Sequence, residues 1–197
     1  MTMLLKLLQV GEPVLRDKAR PLTTEEISSS SIQELISSMH DTLRDAPGVG
    51  LAAPQVGVPI QLAIIEDPPE YWTELSVSEL AARERTAVPF HVIVNPRITS
   101  ASEPCLEFFE GCLSLTGFTA IVPRSREITV ECLDERGELK TIRASGWYAR
   151  ILQHEIDHLN GTIYIDRMRP RSFMSLDNYK HFWKSEKVEE IRQRFAG

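Results

Sequence analysis

Residues 153–161 read QHEIDHLNG, which puts two histidines four positions apart with a glutamate directly after the first. On an α-helix, positions i and i+4 share one face about a turn apart. His154 and His158 can therefore reach one metal ion at roughly 2.0–2.1 Å. Glu155 then stands beside that ion, where a carboxylate can take a proton from an activated water without coordinating the metal. The flanks predict the helix itself. Tyr148, Ile151, Leu152, Ile156 and Leu159 recur at helical spacing, Ser145 can cap the start, and Asn160-Gly161 can close the end in a left-handed turn. The competing reading, a surface histidine pair with Glu155 and Asp157 solvated, is disfavoured by that amphipathic pattern and its cap.

Two imidazoles need at least one more donor. A zinc peptidase of the HExxHxxGxxH type would supply a third histidine, and the match here runs through Gly161 but ends on Tyr164. Peptidases that take a later glutamate would have to use Glu186, Glu189 or Glu190, in a charged terminal segment that reads as exposed. Among the three cysteines, Cys132 alternates with Val130 and Ile128 and reads as a small core residue. Cys105 follows Pro104 in a polar stretch with no supporting pattern. Cys112 lies in FFEGCLSLTG, where Gly111 and Gly117 bracket a loop able to approach a site closely. Cys112 is the favoured third ligand, and a thiolate with two imidazoles leaves a tetrahedral ion one open position.

At 197 residues the chain fits one domain, expected over 1–197, long enough to bury a core without disulfides. A net charge of -6 argues against a general nucleic-acid or anionic-membrane binder. Three cysteines are too few, and odd in number, for a secreted disulfide scaffold, so a reducing, cytoplasmic setting is expected. The N-terminal MTMLLKLLQVGEPVLRDKAR has Lys6 inside a short apolar run and acids after it, unlike a signal or transit peptide. No stretch approaches the roughly 18 apolar residues of a membrane helix.

The remaining pattern predicts a helix from Thr23 or Thr24 to Asp45–Gly48, with Ile32, Leu35, Ile36, Met39 and Leu43 on its buried face. A Gly-rich loop, VGLAAPQVGVP, leads into a buried strand, IQLAIIED. Residues 67–90 read as an acidic surface insertion, with a capping box at Ser76 and Glu79 before a short helix. HVIVNP is a strand stopped by Asn95-Pro96, and REITVECLDERGELKTIRAS is a hairpin turning at Gly137. TIYID reads as a short strand and residues 179–195 as a helical segment. The order is α+β, with antiparallel strands packed around a central helix that bears HExxH.

GVGLAAPQVG at 48–57, EGCLS at 110–114 and QHEIDHLNG at 153–161 occur in that order. With them the chain resembles the peptide deformylases, and LLQVGEPVLRDKARPL is similar to that family's opening segment, so the resemblance spans nearly the whole chain. It implies an α+β deformylase fold and hydrolysis of the N-formyl group from formyl-methionyl peptides. It also implies one divalent metal, physiologically Fe(II), with zinc or nickel as substitutes. Carried over by motif position, Cys112, His154 and His158 are the metal ligands and Glu155 the acid/base. Gln55 and the backbone N–H of Leu113 are the oxyanion donors, and Gly48, Val49, Gly50 and Gly111 lie along the peptide.

Glu110 is expected to be a structural partner of the site loops. Arg150 is expected near the entrance, with a solvated arginine as the alternative. The chain departs from the common bacterial pattern at Leu115-Thr116-Gly117, where a proline often precedes the glycine, and its insertion looks more like the branch that includes organellar enzymes. The expected partners are formyl-Met nascent peptides. A ribosome contact through Lys180, Lys184, Lys187, Arg192 and Arg194 is weighed against an ordinary solvated helix.

Overall fold

The computed structural model describes residues 4–73 and 75–195; positions 1–3, 74, 196 and 197, including one position of the acidic insertion and both ends of the expected domain, lie outside the described residues. The strands in chain order are β1 (Gly50–Ala52), β2 (Leu62–Asp67), β3 (Val88–Ala101), β4 (Pro104–Cys112), β5 (Leu115–Ser125), β6 (Glu127–Leu133), β7 (Leu139–Ser145) and β8 (Met174–Ser175). The helices are α1 (Thr24–Ile27), α2 (Ser30–Asp45), α3 (Val77–Ala82), α4 (Gly146–Leu159), α5 (Leu176–Asn178) and α6 (Val188–Phe195). Antiparallel pairing gives a five-stranded sheet in the order β1-β2-β3-β6-β7 and a three-stranded sheet in the order β4-β5-β8.

Alternation along β2 explains why helices cover both faces of the larger sheet. Leu62 and Ile64 point to one side, where they meet Ile36, Met39 and Leu43 of α2. Ala63 and Ile65 point to the other, where they meet Leu152 and Ile156 of α4. Every residue of β2 is buried, hence its apolar run from Leu62 to Ile65; the two acids that end it, Glu66 and Asp67, are buried on arginine partners. Each fully buried Ile or Leu contributes roughly 1.5–3 kcal/mol. The helix carrying HExxH is thereby clamped between the two sheets, with its apolar side on the larger one.

Local chemistry accounts for where the structure departs from the sequence pattern. The expected single helix after Thr23 is two: Thr23 caps α1 in a capping box with Glu26, and Ser29 caps α2. Asn95-Pro96 does not stop β3. Asn95 takes a left-handed φ of 50° and its side-chain amide pairs with both backbone groups of Leu22, so the strand shifts register and continues. The expected loop FFEGCLSLTG is the end of the β4–β5 hairpin, with Cys112 paired to Leu115 across Leu113-Ser114. VGLAAPQVGVP holds β1 and a 3-10 turn at Ala53–Val56. TIYID is no strand either, since Tyr164–Asp166 form a 3-10 turn. Residues 179–195 break into a π-turn at Tyr179–Trp183 followed by α6.

Candidate functional site

Three elements meet at the helix face that carries the histidines. α4 presents His154, Glu155 and His158; the β4–β5 hairpin presents Cys112; the 3-10 turn after β1 presents Gln55. Ser145 makes no side-chain cap to α4. β7 runs straight into the helix at Gly146, whose φ of 58° turns the chain, and Gly161, at φ 71°, ends it as the Asn160-Gly161 pattern predicts.

Cys112, His154 and His158 offer ligand atoms that all lie within 4.8 Å of one another. Cys112 Sγ is 3.2 Å from His158 Nε2, and the Ser114 N–H and Gln55 Nε2 also point at the sulfur, at 3.4 and 3.5 Å. Gln55 is buried and its orientation is set from behind: the Ala52 N–H donates to its Oε1 at 2.8 Å, which turns the NH2 group toward Cys112. His154 Nδ1 pairs with Glu110 Oε2 at 3.0 Å, leaving the other ring nitrogen for the site. That carboxylate–imidazole arrangement is the usual support for a metal-bound histidine. Two buried atoms beside the triad, Glu155 Oε2 and His158 Nδ1, have no hydrogen-bond partner among the described residues. A soft sulfur with two imidazole nitrogens, next to an unpaired buried carboxylate oxygen, fits a divalent transition metal.

Burial pushes the Glu155 carboxyl up to about 7, with His154 pulling against that rise. For His154, burial disfavours the charged ring, but the bonds to Cys112 and Glu110 outweigh it and raise the imidazole well above its ordinary value. His158 lacks such partners, and burial followed by the charge of His154 holds it well below.

A cavity of about 470 Å³ opens onto this face. Gly48, Val49, Gly50, Gln55, Gly111, Cys112, Leu113, His154 and Glu155 all line it, while His158 is buried behind Cys112. A Cβ on Gly50 would stand 2.3 Å from Glu155 Oε1, so only glycine lets the β1 backbone lie against that carboxylate. β1 is an edge strand of its sheet.

A model of the polypeptide deformylase family matches residues 4–173. The chain belongs to this family. Among curated deformylases, peptide deformylase 1A of Arabidopsis thaliana, chloroplastic/mitochondrial, is 48% identical over 85% of this chain, and peptide deformylase 1 of Bifidobacterium longum is 41% identical over 94%. The chain spans 82% of the Bifidobacterium deformylase but only 62% of the Arabidopsis protein and of its tomato counterpart. Among solved deformylases, the Met-Ala-Ser-bound class I type b enzyme of Acinetobacter baumannii is 32% identical, with a TM-score of 0.75 over 85% of this chain and 100% of that one. The Thermotoga maritima peptide deformylase gives 0.70 at 31% identity, over 85% and 99%.

Within this deformylase fold, Glu110 is the structural partner that the sequence predicted and Arg150 lines the cavity as expected, but the sequence pattern missed the arginine network that braces the site. Arg150 is not solvated: it is 3% exposed, donating to Glu110 Oε1 at 2.5 Å and to the carbonyls of Val122 and Leu106. Glu110 is buried too and receives a bidentate pair from Arg124, which reaches Asp157 Oδ2 with its remaining nitrogen. Burial alone would raise the Glu110 carboxyl, but the Arg124 charge and the His154 bond hold it far below the carboxylate range. Arg167 completes the set by pairing bidentately with Asp157. The partners lie up to 44 positions apart, so no local signal marks them. The insertion is not only surface, because its Arg85 lines the cavity. Tyr164, the residue in the place of a third peptidase histidine, is buried with its ring 6.4 Å from that of His154.

Proposed function

We propose that this chain removes the N-formyl group from the N-terminal formylmethionine of newly made polypeptides, releasing formate, as a single catalytic domain with an insertion at 67–90 and a C-terminal segment at 179–195. The observation that carries the reading is the convergence of Cys112, His154 and His158 beside the buried Glu155, at the wall of a cavity edged by an open strand.

In this reading Cys112, His154 and His158 hold one divalent ion, Fe(II) physiologically, with zinc or nickel as substitutes. Such an ion supplies a Lewis-acid centre and makes water a competent nucleophile near neutrality. Glu155 does the proton work. Burial raises its carboxyl toward neutrality, where it can collect the proton of the attacking water and return it to the leaving amine. The NH2 group of Gln55 and the backbone N–H of Leu113 stabilise the oxyanion that develops at the formyl carbon. Losing one such donor costs about 2.7–4 kcal/mol of transition-state stabilisation. Gly48, Val49, Gly50 and Gly111 leave room for the substrate backbone, which can pair with the free edge of β1 as an added strand.

The cysteines are all free thiols, as suits a reducing compartment such as the bacterial cytoplasm, where nascent chains would be met, with ribosome contact through the basic C-terminal segment. No described helix is long and apolar enough to cross a membrane. The test is a formate-release assay on formyl-Met-Ala-Ser with protein purified without air, alongside metal analysis. Formate in step with bound metal supports the reading; cleavage of internal peptide bonds without formate makes the chain a peptidase instead.

A further inference from the structure

The acidic insertion contributes one residue to the cavity wall that the reaction outlined above does not use. Arg85 is fixed from behind: its Nε and Nη2 donate to Asp67 Oδ2 and Oδ1 at 2.8 and 2.7 Å, and Asp67 is fully buried at the end of β2. Its guanidinium carbon sits 5.6 Å from the centre of the Trp72 ring and 5.2 Å from that of Trp147. Trp147 also takes Arg83 at 5.3 Å and Arg150 at 5.9 Å, so its indole is held in place by three cations. The Arg85 side chain is 9% exposed, yet Arg85 lines the cavity together with Val49, Trp147 and Ile151. Among the described residues no acceptor takes its Nη1. Two N–H donors are therefore left on the one part of a rigid fork that Asp67 does not use.

Position along α4 decides what these donors meet. Trp147 precedes His154 by seven residues, about 10 Å along a helix axis. An apolar side chain running from the reacting centre along Val49, Ile151 and Trp147 thus heads for Arg85. With Asp67 cancelling its charge, Arg85 offers hydrogen-bond donation without a net positive field. We propose that Arg85 reads the far end of the substrate's first side chain, favouring one that ends in an acceptor, the methionyl thioether or its sulfoxide, over an isosteric hydrocarbon. Sulfur in a thioether is a weak acceptor and the sulfoxide oxygen a strong one. The preference is modest for methionine and pronounced for its oxidised form. Formyl-methionine sulfoxide peptides thereby become substrates of the same site.

This inference rests on the deformylase reading, and one set of substrates separates the two. Metal-loaded protein is given formyl-Met-Ala-Ser, formyl-norleucyl-Ala-Ser and formyl-methionine-sulfoxide-Ala-Ser, and kcat/KM is measured by formate release. The expected result is a modest, about two- to threefold, preference for methionine over norleucine and a larger preference for the sulfoxide over norleucine. Arg85→Met should erase the first preference and cut sulfoxide turnover at least tenfold, mainly through KM, with Arg85→Lys restoring part of both. If methionine is turned over but norleucine matches it and the sulfoxide is rejected, Arg85 does not read the side chain. That outcome comes from the native enzyme alone and holds even if the variants fold poorly. An unchanged ranking in a folded Arg85→Met overturns the inference equally. No formate from any of the three peptides removes the deformylase reading and this inference with it.

Discussion

At the scale of single residues, Cys112 and Cys132 show how placement decides chemistry. Cys112 faces two imidazoles, whereas Cys132 is 2% exposed in the core, its thiol pushed up to about 11 by burial. Cys112→Ser should weaken metal binding by more than the roughly 10–100-fold that loss of an outer-shell partner costs. Cys132→Ser should leave metal content unchanged and cost about 1–3 kcal/mol of stability, because it buries a hydroxyl. Metal analysis of both proteins after equal dialysis checks this, and a metal-free Cys132 variant beside a fully loaded Cys112 variant would reverse the assignment. Glu155→Gln removes the proposed proton carrier and keeps the three proposed ligands. Formate release should fall about 10²–10⁴-fold with metal retained; native rates in that variant would discard the acid/base role.

At the scale of elements, α2 and β2 are tied by charge as well as by packing. His40 and Arg44, one turn apart on α2, both reach Glu66 of β2, Arg44 as a bidentate pair at 3.0 and 2.9 Å. The Arg44 bond is the largest influence on Glu66 and holds its carboxyl below the ordinary value. A depressed folded-state pKa contributes stability above the unfolded value, and that contribution is lost as pH falls through the folded one. Urea denaturation should therefore find Glu66→Gln less stable than the native protein at pH 7, the difference shrinking as the pH drops below about 4.5. The effect should be small because Arg44 is 59% exposed; a gap that widens in acid would contradict it. What could be read in advance also sorts by element. The α4 helix, β2 and the β6–β7 hairpin show their periods in their own residues. The continuation of β3 through Asn95 could not be seen, because the partner that holds Asn95 is Leu22, 73 positions away. The triad of Cys112, His154 and His158 was approachable because two of its members share a helix turn; the burial of Arg150 was not, since its acceptors all lie on the β4–β5 hairpin.

At the scale of the whole molecule, the site joins both sheets through one helix, so occupation of the triad should be felt globally. A ligand that binds only the folded state at 100 times its Kd stabilises by about 2.7 kcal/mol. For a chain of this size that corresponds to roughly 5–11 °C in Tm. Chelation should lower Tm by that order and re-addition of Fe(II), zinc or nickel should restore it, as followed by calorimetry under nitrogen. An unchanged Tm in a sample shown to have lost its metal would mean that the triad does not hold the ion.

The buried charges around Glu110 carry a consequence for how such a protein can change over generations. Glu110 and Asp157 are balanced by Arg124 and Arg150, all four of them buried. Neutralising Glu110 strands Arg150, which has no other ionic partner among the described residues, a loss of about 3–5 kcal/mol from a total that is commonly only about 5–15. A lone substitution of Glu110 is thereby closed off, whereas a matched replacement of both signs by apolar groups is tolerable. A descendant should lose Glu110 and Arg150 together more easily than separately.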